Sequence, residues 1–303
     1  MDEETIIENI ENIDWNQLSL EQLKLLQSKI SKAIDIKRQG LNLTKSNDKI
    51  TLIHRYKASL SKVSPKHLRS SLSEYNKCVF GISLGSKNFI DRKRIEACIK
   101  WISENFQACV VLVCDSIYRL TIELRQGLTG DEAKLLAISN GEKFVNENCF
   151  LFEQYSRSCE FEFKMASQIE KQLEFEIYYQ ELQCLYQNNQ SFQKIINSFA
   201  EKYIDRIEKL KEENKHIEHS LQEKMYLSTT YILEESALSA CLVKEGWSVF
   251  VYPGSIKTFE EISEGLHPEV PESLKQMVWV SLRFRQNSFV GDSTVRETKN
   301  NHY

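Results

Sequence analysis

Cys78-Val79-Phe80-Gly81-Ile82-Ser83 and Ala108-Cys109-Val110-Val111-Leu112-Val113-Cys114 are two short apolar runs rich in β-branched residues. Continuous hydrophobic runs of this length read as strands covered on both faces. Between them, residues 91–106 put Ile95, Cys98, Ile99, Ile102 and Phe106 on one helical face. Strand, loop, helix and strand in that order make a βαβ unit, so the predicted class is α/β, with a parallel sheet flanked by helices. Trp247–Val251 and Met277–Phe284 read as a third and a fourth strand. On this reading Ser83 ends the first strand of the sheet.

The rest of the 303-residue chain is consistent with that class. Hydrophobic residues are 41% and charged residues 27%, an ordinary globular balance that excludes a largely disordered chain. Residues 142–245 contain neither Gly nor Pro, which excludes a turn-rich all-β fold and predicts helices. The clearest helix spans 201–224, with Ile204, Ile207, Leu210, Ile217 and Leu221 as its stripe; His216 and His219 fall on its wet face. Another helix is predicted within 4–37. The boundaries expected are a helical, basic extension over 1–75, a catalytic domain over 76–290 and a polar tail over 291–303.

The acidic start Met1-Asp2-Glu3-Glu4 is unlike a secretory leader. Eight cysteines lack C-x-x-C or zinc spacing and read as reduced apolar residues, so the expected setting is cytoplasmic, with no metal and no membrane span. Residues 29–77 carry twelve Lys/Arg against Asp35, Asp48 and Glu74, a charge of +9 in a chain of net charge −4. A polyanion would be drawn to that segment, although the overall acidity argues against duplex DNA.

Gly81-Ile82-Ser83-Leu84-Gly85 matches the G-x-S-x-G turn that exposes a nucleophilic serine. A hydrolase would need a histidine base, for which His267 is the candidate. A serine without that base can still react with an already activated ester, such as an aminoacyl ester. Downstream, Tyr231 and Glu235 are four residues apart, so a helix puts phenol and carboxylate on one face, which Leu238 continues. Together they can hold an α-ammonium beside an aliphatic wall.

In this order and spacing, Val79-Phe80-Gly81-Ile82-Ser83, Tyr231-x-x-x-Glu235 and Val249-Phe250-Val251-Tyr252-Pro253 resemble the tRNA-dependent cyclodipeptide synthases, and Asp115-Ser116-Ile117-Tyr118-Arg119 is also similar to that family. Ser86 and Pro253 are similar to the branch with Tyr-Pro after the third strand. The resemblance implies a Rossmann-like fold similar to the class I tyrosyl and tryptophanyl tRNA synthetases. It also implies a monomer with no cofactor, using two aminoacyl-tRNAs per cycle to form a cyclic dipeptide through Ser-bound aminoacyl- and dipeptidyl-enzymes. In that scheme Ser83 is the nucleophile, Tyr231 and Glu235 bind the amine and move protons, and Tyr252 orients Ser83. Val79, Gly81, Leu238 and Phe250 match a side-chain pocket, and Ser86 and Pro253 flank it. The family's strongly basic helix is only weakly basic here, over 131–160, so Arg92, Lys93 and Arg94 or the 29–77 segment are the candidates for tRNA contact. A serine esterase using the Gly81-Ile82-Ser83-Leu84-Gly85 loop, and a non-catalytic RNA-binding α/β protein, remain as alternative readings.

Overall fold

The computed structural model describes residues 19, 53–209 and 219–289. The helix expected within 4–37, the tail over 291–303, and Leu210, His216 and Ile217 lie outside the described residues.

The chain enters the sheet with β1 (Ile53–Ser64). After two 3₁₀ turns come β2 (Lys77–Ile82), the short helix α1 (Lys87–Ile90), α2 (Arg92–Asn105) and β3 (Ala108–Val113). Next are α3 (Tyr118–Gln126), α4 (Gly130–Glu153), β4 (Glu160–Met165) and α5 (Ala166–Ile169). Helices α6 (Leu173–Asn188), α7 (Gln190–Lys209) and α8 (Leu221–Lys244) follow. The described chain ends with β5 (Val249–Pro253), α9 (Lys257–Ser263), α10 (Glu272–Lys275) and β6 (Val278–Phe289).

The six strands lie in the order β1-β6-β5-β2-β3-β4. β2 runs parallel to β3 and β5, β3 parallel to β4, and β5 parallel to β6. From β2 the chain therefore builds outward through β3 and β4, then returns to the other side of β2 for β5 and β6. The reversal leaves a crevice between the carboxyl ends of β2 and β5, where open α/β sheets bind ligands. The α/β class and the four strands expected from the apolar runs are all found. Cys78, Val79, Phe80 and Ile82 are fully buried, as a strand covered on both faces requires.

Three expectations are corrected. β1 joins the sheet next to β6, so the sheet takes in residues 53–64, assigned from sequence to the extension, and β2 is the second strand in chain order. β1 alternates Tyr56, Ala58 and Leu60 with Lys57, Ser59 and Ser61, and such half-polar edge strands lack a continuous apolar run. β4 sits inside the segment predicted to be helical. Its Glu-Phe-Glu-Phe alternation is a period-2 signal, and Phe161 and Phe163 meet Phe152 of α4 edge-on, with ring centroids 5.3 and 4.9 Å away. The single helix predicted over 201–224 is two elements: α7 is described as far as Lys209, His219 and Ser220 are not helical, and Ser220 caps α8. Leu221 is accordingly exposed rather than part of an apolar stripe. His219 precedes the helix, its Nε2 sharing a 3.0 Å hydrogen bond with the Glu123 carbonyl.

α8 is the helix that organises the site. Ser220 and Glu223 form a capping box: the Glu223 amide donates to Ser220 Oγ (3.2 Å) and the Ser220 amide donates to Glu223 Oε2 (2.8 Å). The helix packs against α7, α6, α3 and α10. Two of its interior serines are satisfied by the helix backbone, Ser236 Oγ donating to the Ile232 carbonyl (2.7 Å) and Ser239 Oγ to that of Glu235 (2.9 Å), whereas the buried Ser228 hydroxyl has no such bond. From Leu227 to Val243 every residue is buried except Glu235.

Candidate active site

Ser83 follows directly on the last residue of β2, at the mouth of the β2/β5 crevice. The turn that presents it has a definite cause. The Ser86 amide donates to the Ser83 carbonyl at 3.2 Å, closing a four-residue turn whose third residue, Gly85, has φ +80°. Glycine alone takes that conformation readily. A Cβ there would also meet Tyr118 Cε2 at 2.8 Å, so the close approach of the Tyr118 ring imposes the same choice. Ser86 then caps α1, its Oγ accepting the Asn88 amide at 3.4 Å; this is a structural use of a residue expected near substrate.

Tyr231 on α8 reaches across the crevice, and its hydroxyl and Ser83 Oγ share a hydrogen bond of 3.2 Å. Tyr252 approaches from β5. Strand pairing puts Val79 opposite Phe250 and Phe80 opposite Val251, so Tyr252 is level with Gly81. A Cβ on Gly81 would lie 3.9 Å from the Tyr252 ring. Phe89 and Trp279 hold that ring at centroid distances of 6.0 and 5.9 Å. Glu235 follows Tyr231 by one helical turn. Four residues picked from separated segments of sequence are therefore gathered at one end of the sheet. Val79, Leu238 and Phe250 are buried beneath them, with Gly81 partly exposed.

The electrostatics of the group follow from burial. Desolvation raises the Glu235 carboxyl to about 7, against the opposing charge of Arg206. It also pushes the Tyr231 phenol well above its ordinary value, with the Glu235 charge adding to the rise and the Ser83 hydroxyl opposing it. Tyr252 rises to about 12 for the same leading reason. At neutral pH both phenols are uncharged O–H groups, and the carboxyl is poised between its two forms.

Sequence reasoning missed the outer wall. Tyr203 of α7 packs against Tyr231 at a tilt of 32° and Phe199 stacks on it, with ring centroids 4.8 and 6.0 Å away. Their spacing of four was legible as a helix face, but no pattern tied that face to Ser83. Asn88 was missed as well. Its Nδ2 donates to the Pro253 carbonyl (2.8 Å) and its Oδ1 accepts Arg94 Nη1 (2.9 Å), tying the loop after Ser83 to the end of β5. Arg94 also lies over the rings of Tyr56 and Phe284, 4.9 and 5.5 Å from their centroids. Arg94 is thus engaged in holding the fold. Lys93 is exposed and Arg92 lies over Phe150 at 5.6 Å. Asp91 caps α2, accepting the Lys93 amide at 3.0 Å, and so offsets the cost of cations in the first turn. His267 is buried elsewhere, its Nε2 3.3 Å from Glu261 Oε2 and its ring against Phe192.

On the other side of α8 lies a second, ionic cleft of about 500 Å³, lined among others by Asp115, Arg119, Lys134, Glu170 and Glu234. Arg119 grips Glu234 through two bonds, Nη1 to Oε2 at 2.9 Å and Nη2 to Oε1 at 2.5 Å. Asp115 accepts the Ser167 amide and hydroxyl at 2.9 and 2.6 Å.

No family model matches the sequence, and no curated protein matches it either. Solved structures do match. A cyclodipeptide synthase from Fluoribacter dumoffii superposes with a TM-score of 0.64 at 23% identity, over 77% of this chain and 100% of that one. The chain has the cyclodipeptide-synthase fold. The enzyme from Candidatus Glomeribacter gigasporarum, solved bound to Phe-tRNA(Phe), superposes at 0.56 with 16% identity, over 78% of this chain and 98% of that one. A Mycobacterium tuberculosis protein, reported to relate cyclodipeptide synthetases to type I tRNA synthetases, superposes at 0.54 with 11% identity over 77% and 94%. The synthetase-like α/β architecture expected from the resemblance is thus the one found. Among the described residues no helix is long and apolar enough to cross a membrane.

Proposed function

We propose that the chain is a cyclodipeptide synthase, an aminoacyltransferase that joins the amino acids of two aminoacyl-tRNAs into a diketopiperazine. The observation that carries this reading is the 3.2 Å contact between Ser83 Oγ and the Tyr231 hydroxyl at the sheet's switch point, with Glu235 one turn further along the helix.

In the first step Ser83 Oγ attacks the ester carbonyl of one aminoacyl-tRNA. A C–Oγ bond forms, the bond to the ribose oxygen breaks, and the serine proton passes to that oxygen, with the neutral Tyr231 phenol as relay. The aminoacyl ammonium, whose free value is about 8, lies beside Glu235. A carboxyl titrating at about 7 is matched to hold that ammonium and then accept its proton. The freed amine attacks the ester carbonyl of a second aminoacyl-tRNA; an amide bond forms, the bond to the ribose oxygen breaks, that oxygen takes up the amine's proton as the tRNA leaves, and a dipeptidyl group remains on Ser83. The terminal amine of that dipeptide then attacks the Ser83 ester, closing the ring and restoring the serine hydroxyl. Tyr252, beside Gly81, orients Ser83. Val79, Gly81, Leu238 and Phe250 wall the first side chain, and the Phe250 ring makes that pocket shallow. Arg92 and Lys93 meet tRNA phosphates, and the protein acts as a monomer. Ser86 and Pro253 support the branch with Tyr-Pro, and the boundaries we favour are an extension ending near residue 52 and a catalytic unit over 53–289. The engagement of His267 with Glu261 and Phe192 weighs against an esterase.

The test mixes the protein with labelled charged tRNA. Label retained covalently by the parent and lost in Ser83→Ala, together with diketopiperazines by mass spectrometry, supports the reading. Absence of product with all twenty charged amino acids overturns it.

A further inference from the structure

Tyr231 holds its hydroxyl 3.2 Å from Ser83 Oγ, its side chain reaching from a helix to the end of a strand, and the contacts around its buried ring fix it there. The structure supplies a three-part brace. Tyr203, on α7, lies against Tyr231 with ring centroids 4.8 Å apart and planes inclined by 32°. Phe199, one turn earlier, stacks on both rings, 5.7 Å from Tyr203 and 6.0 Å from Tyr231. Tyr203 is itself gripped at two points: its hydroxyl shares a hydrogen bond with Thr121 Oγ1 on α3, and the exposed Arg206 guanidinium lies 4.9 Å above its ring. A ring tied at its hydroxyl and covered on its face has lost the freedom to swing, and aromatic and cation–π contacts of this kind favour specific geometries.

We propose that Tyr203, held by Thr121 and Arg206, is a positioning residue that fixes the Tyr231 phenol over Ser83. It makes no contact with the reacting atoms and acts through Tyr231 alone. Misplacing a reacting group by an ångström can cost about 10²-fold in rate. The kinetic consequences rest on the acyl-transfer reading above; the geometric ones do not.

The experiment has two arms. In the first, Tyr203→Leu lowers kcat about 30-fold, and Tyr203→Phe and Thr121→Val each lower it about 5-fold, with KM for charged tRNA unchanged within about twofold, because geometry and not binding is lost. In a Tyr231→Phe background the same changes cause no further loss, since the residue they position has lost its hydroxyl. Additive losses in the double variants, or a rise in KM alone, overturn the proposal. The second arm needs no turnover. With 3-fluorotyrosine at position 231, fluorine NMR shows one narrow line in the parent and broadened or split lines in Tyr203→Leu and Arg206→Gln. A narrow parental line in every variant overturns the proposal even where activity falls. If Tyr203→Leu fails to fold, Tyr203→Phe and Thr121→Val carry both arms. A parent that makes no cyclic dipeptide defeats the proposed function and leaves the fluorine result to decide this one.

Discussion

Glu234 and Glu235 are neighbours in sequence and face two different regions across α8. Glu234 opens on the ionic cleft, where Arg119 meets both of its oxygens. Glu235 opens on the Ser83 crevice, where it meets phenols and feels Arg206 only through space. Both carboxyls leave bulk water; what separates them is the partner. A bidentate guanidinium meets both oxygens of a carboxyl and fixes its geometry. A surround of hydroxyls and rings leaves the charge under-compensated, so the proton affinity rises into the range useful for moving protons. The first arrangement suits stability, and under the proposed function the second suits proton transfer.

That contrast can be broken most visibly at Glu235. Glu235→Gln keeps the shape and removes the titration, so product formation should fall about 10²- to 10³-fold. The parent's rate should rise with pH through about 7, and the variant's residual rate should lack that step. Stability should move the other way. The folded carboxyl binds its proton more tightly than the unfolded one, so the Glu235 contribution to stability is fully present below about 4.5, falls as pH rises, and levels off above about 7. Glu235→Gln should therefore be more stable than the parent by roughly 2–3 kcal/mol at pH 8 and no more stable at pH 4. Equal melting temperatures at pH 8 would show that the carboxyl is not desolvated.

The ionic cleft should respond in stability instead. Arg119→Ala strands the buried Glu234 carboxylate and should cost about 3 kcal/mol in denaturant melts, whereas replacing both partners with apolar residues should cost much less. A neutral Arg119→Ala would mean that the pair contributes little. A smaller effect is expected at Gly85. Gly85→Ala forces a left-handed residue and a clash with Tyr118, costing about 2 kcal/mol and loosening the turn that presents Ser83. Wild-type stability with wild-type acyl transfer there would discount the turn. The smallest effect belongs to His267→Gln, which should leave acyl transfer per folded molecule within about twofold. Loss of acyl transfer in a folded His267→Gln protein would restore the esterase reading.

Much of this architecture was legible in the chain itself. Strands β2 and β3 announced themselves because strands buried on both faces must be apolar throughout, and the period-3.6 face of α2 marked the crossover between them. Strands β1 and β4 lie at the edges of the sheet, where half-polar sequences are allowed, and so were submerged in basic and helical surroundings. Ser83, Tyr231 and Glu235 were nameable from local spacing, since a turn and a helical turn are local geometries, whereas Tyr252 was nameable only through the family resemblance of its strand.

What no local pattern carried is which side chains meet. The Tyr203–Tyr231 contact spans 28 residues and crosses from α7 to α8, the Asn88–Pro253 bond spans 165 residues, and the value near 7 at Glu235 arises from everything packed around it. The amino-acid sequence by itself determined most of the elements and the turn that holds Ser83, because backbone preference and hydrophobic period act over a few residues. Only the tertiary structure decided that one glutamate of an adjacent pair would be neutralised by an arginine and the other left to titrate, because desolvation and pairing are properties of the assembled surroundings.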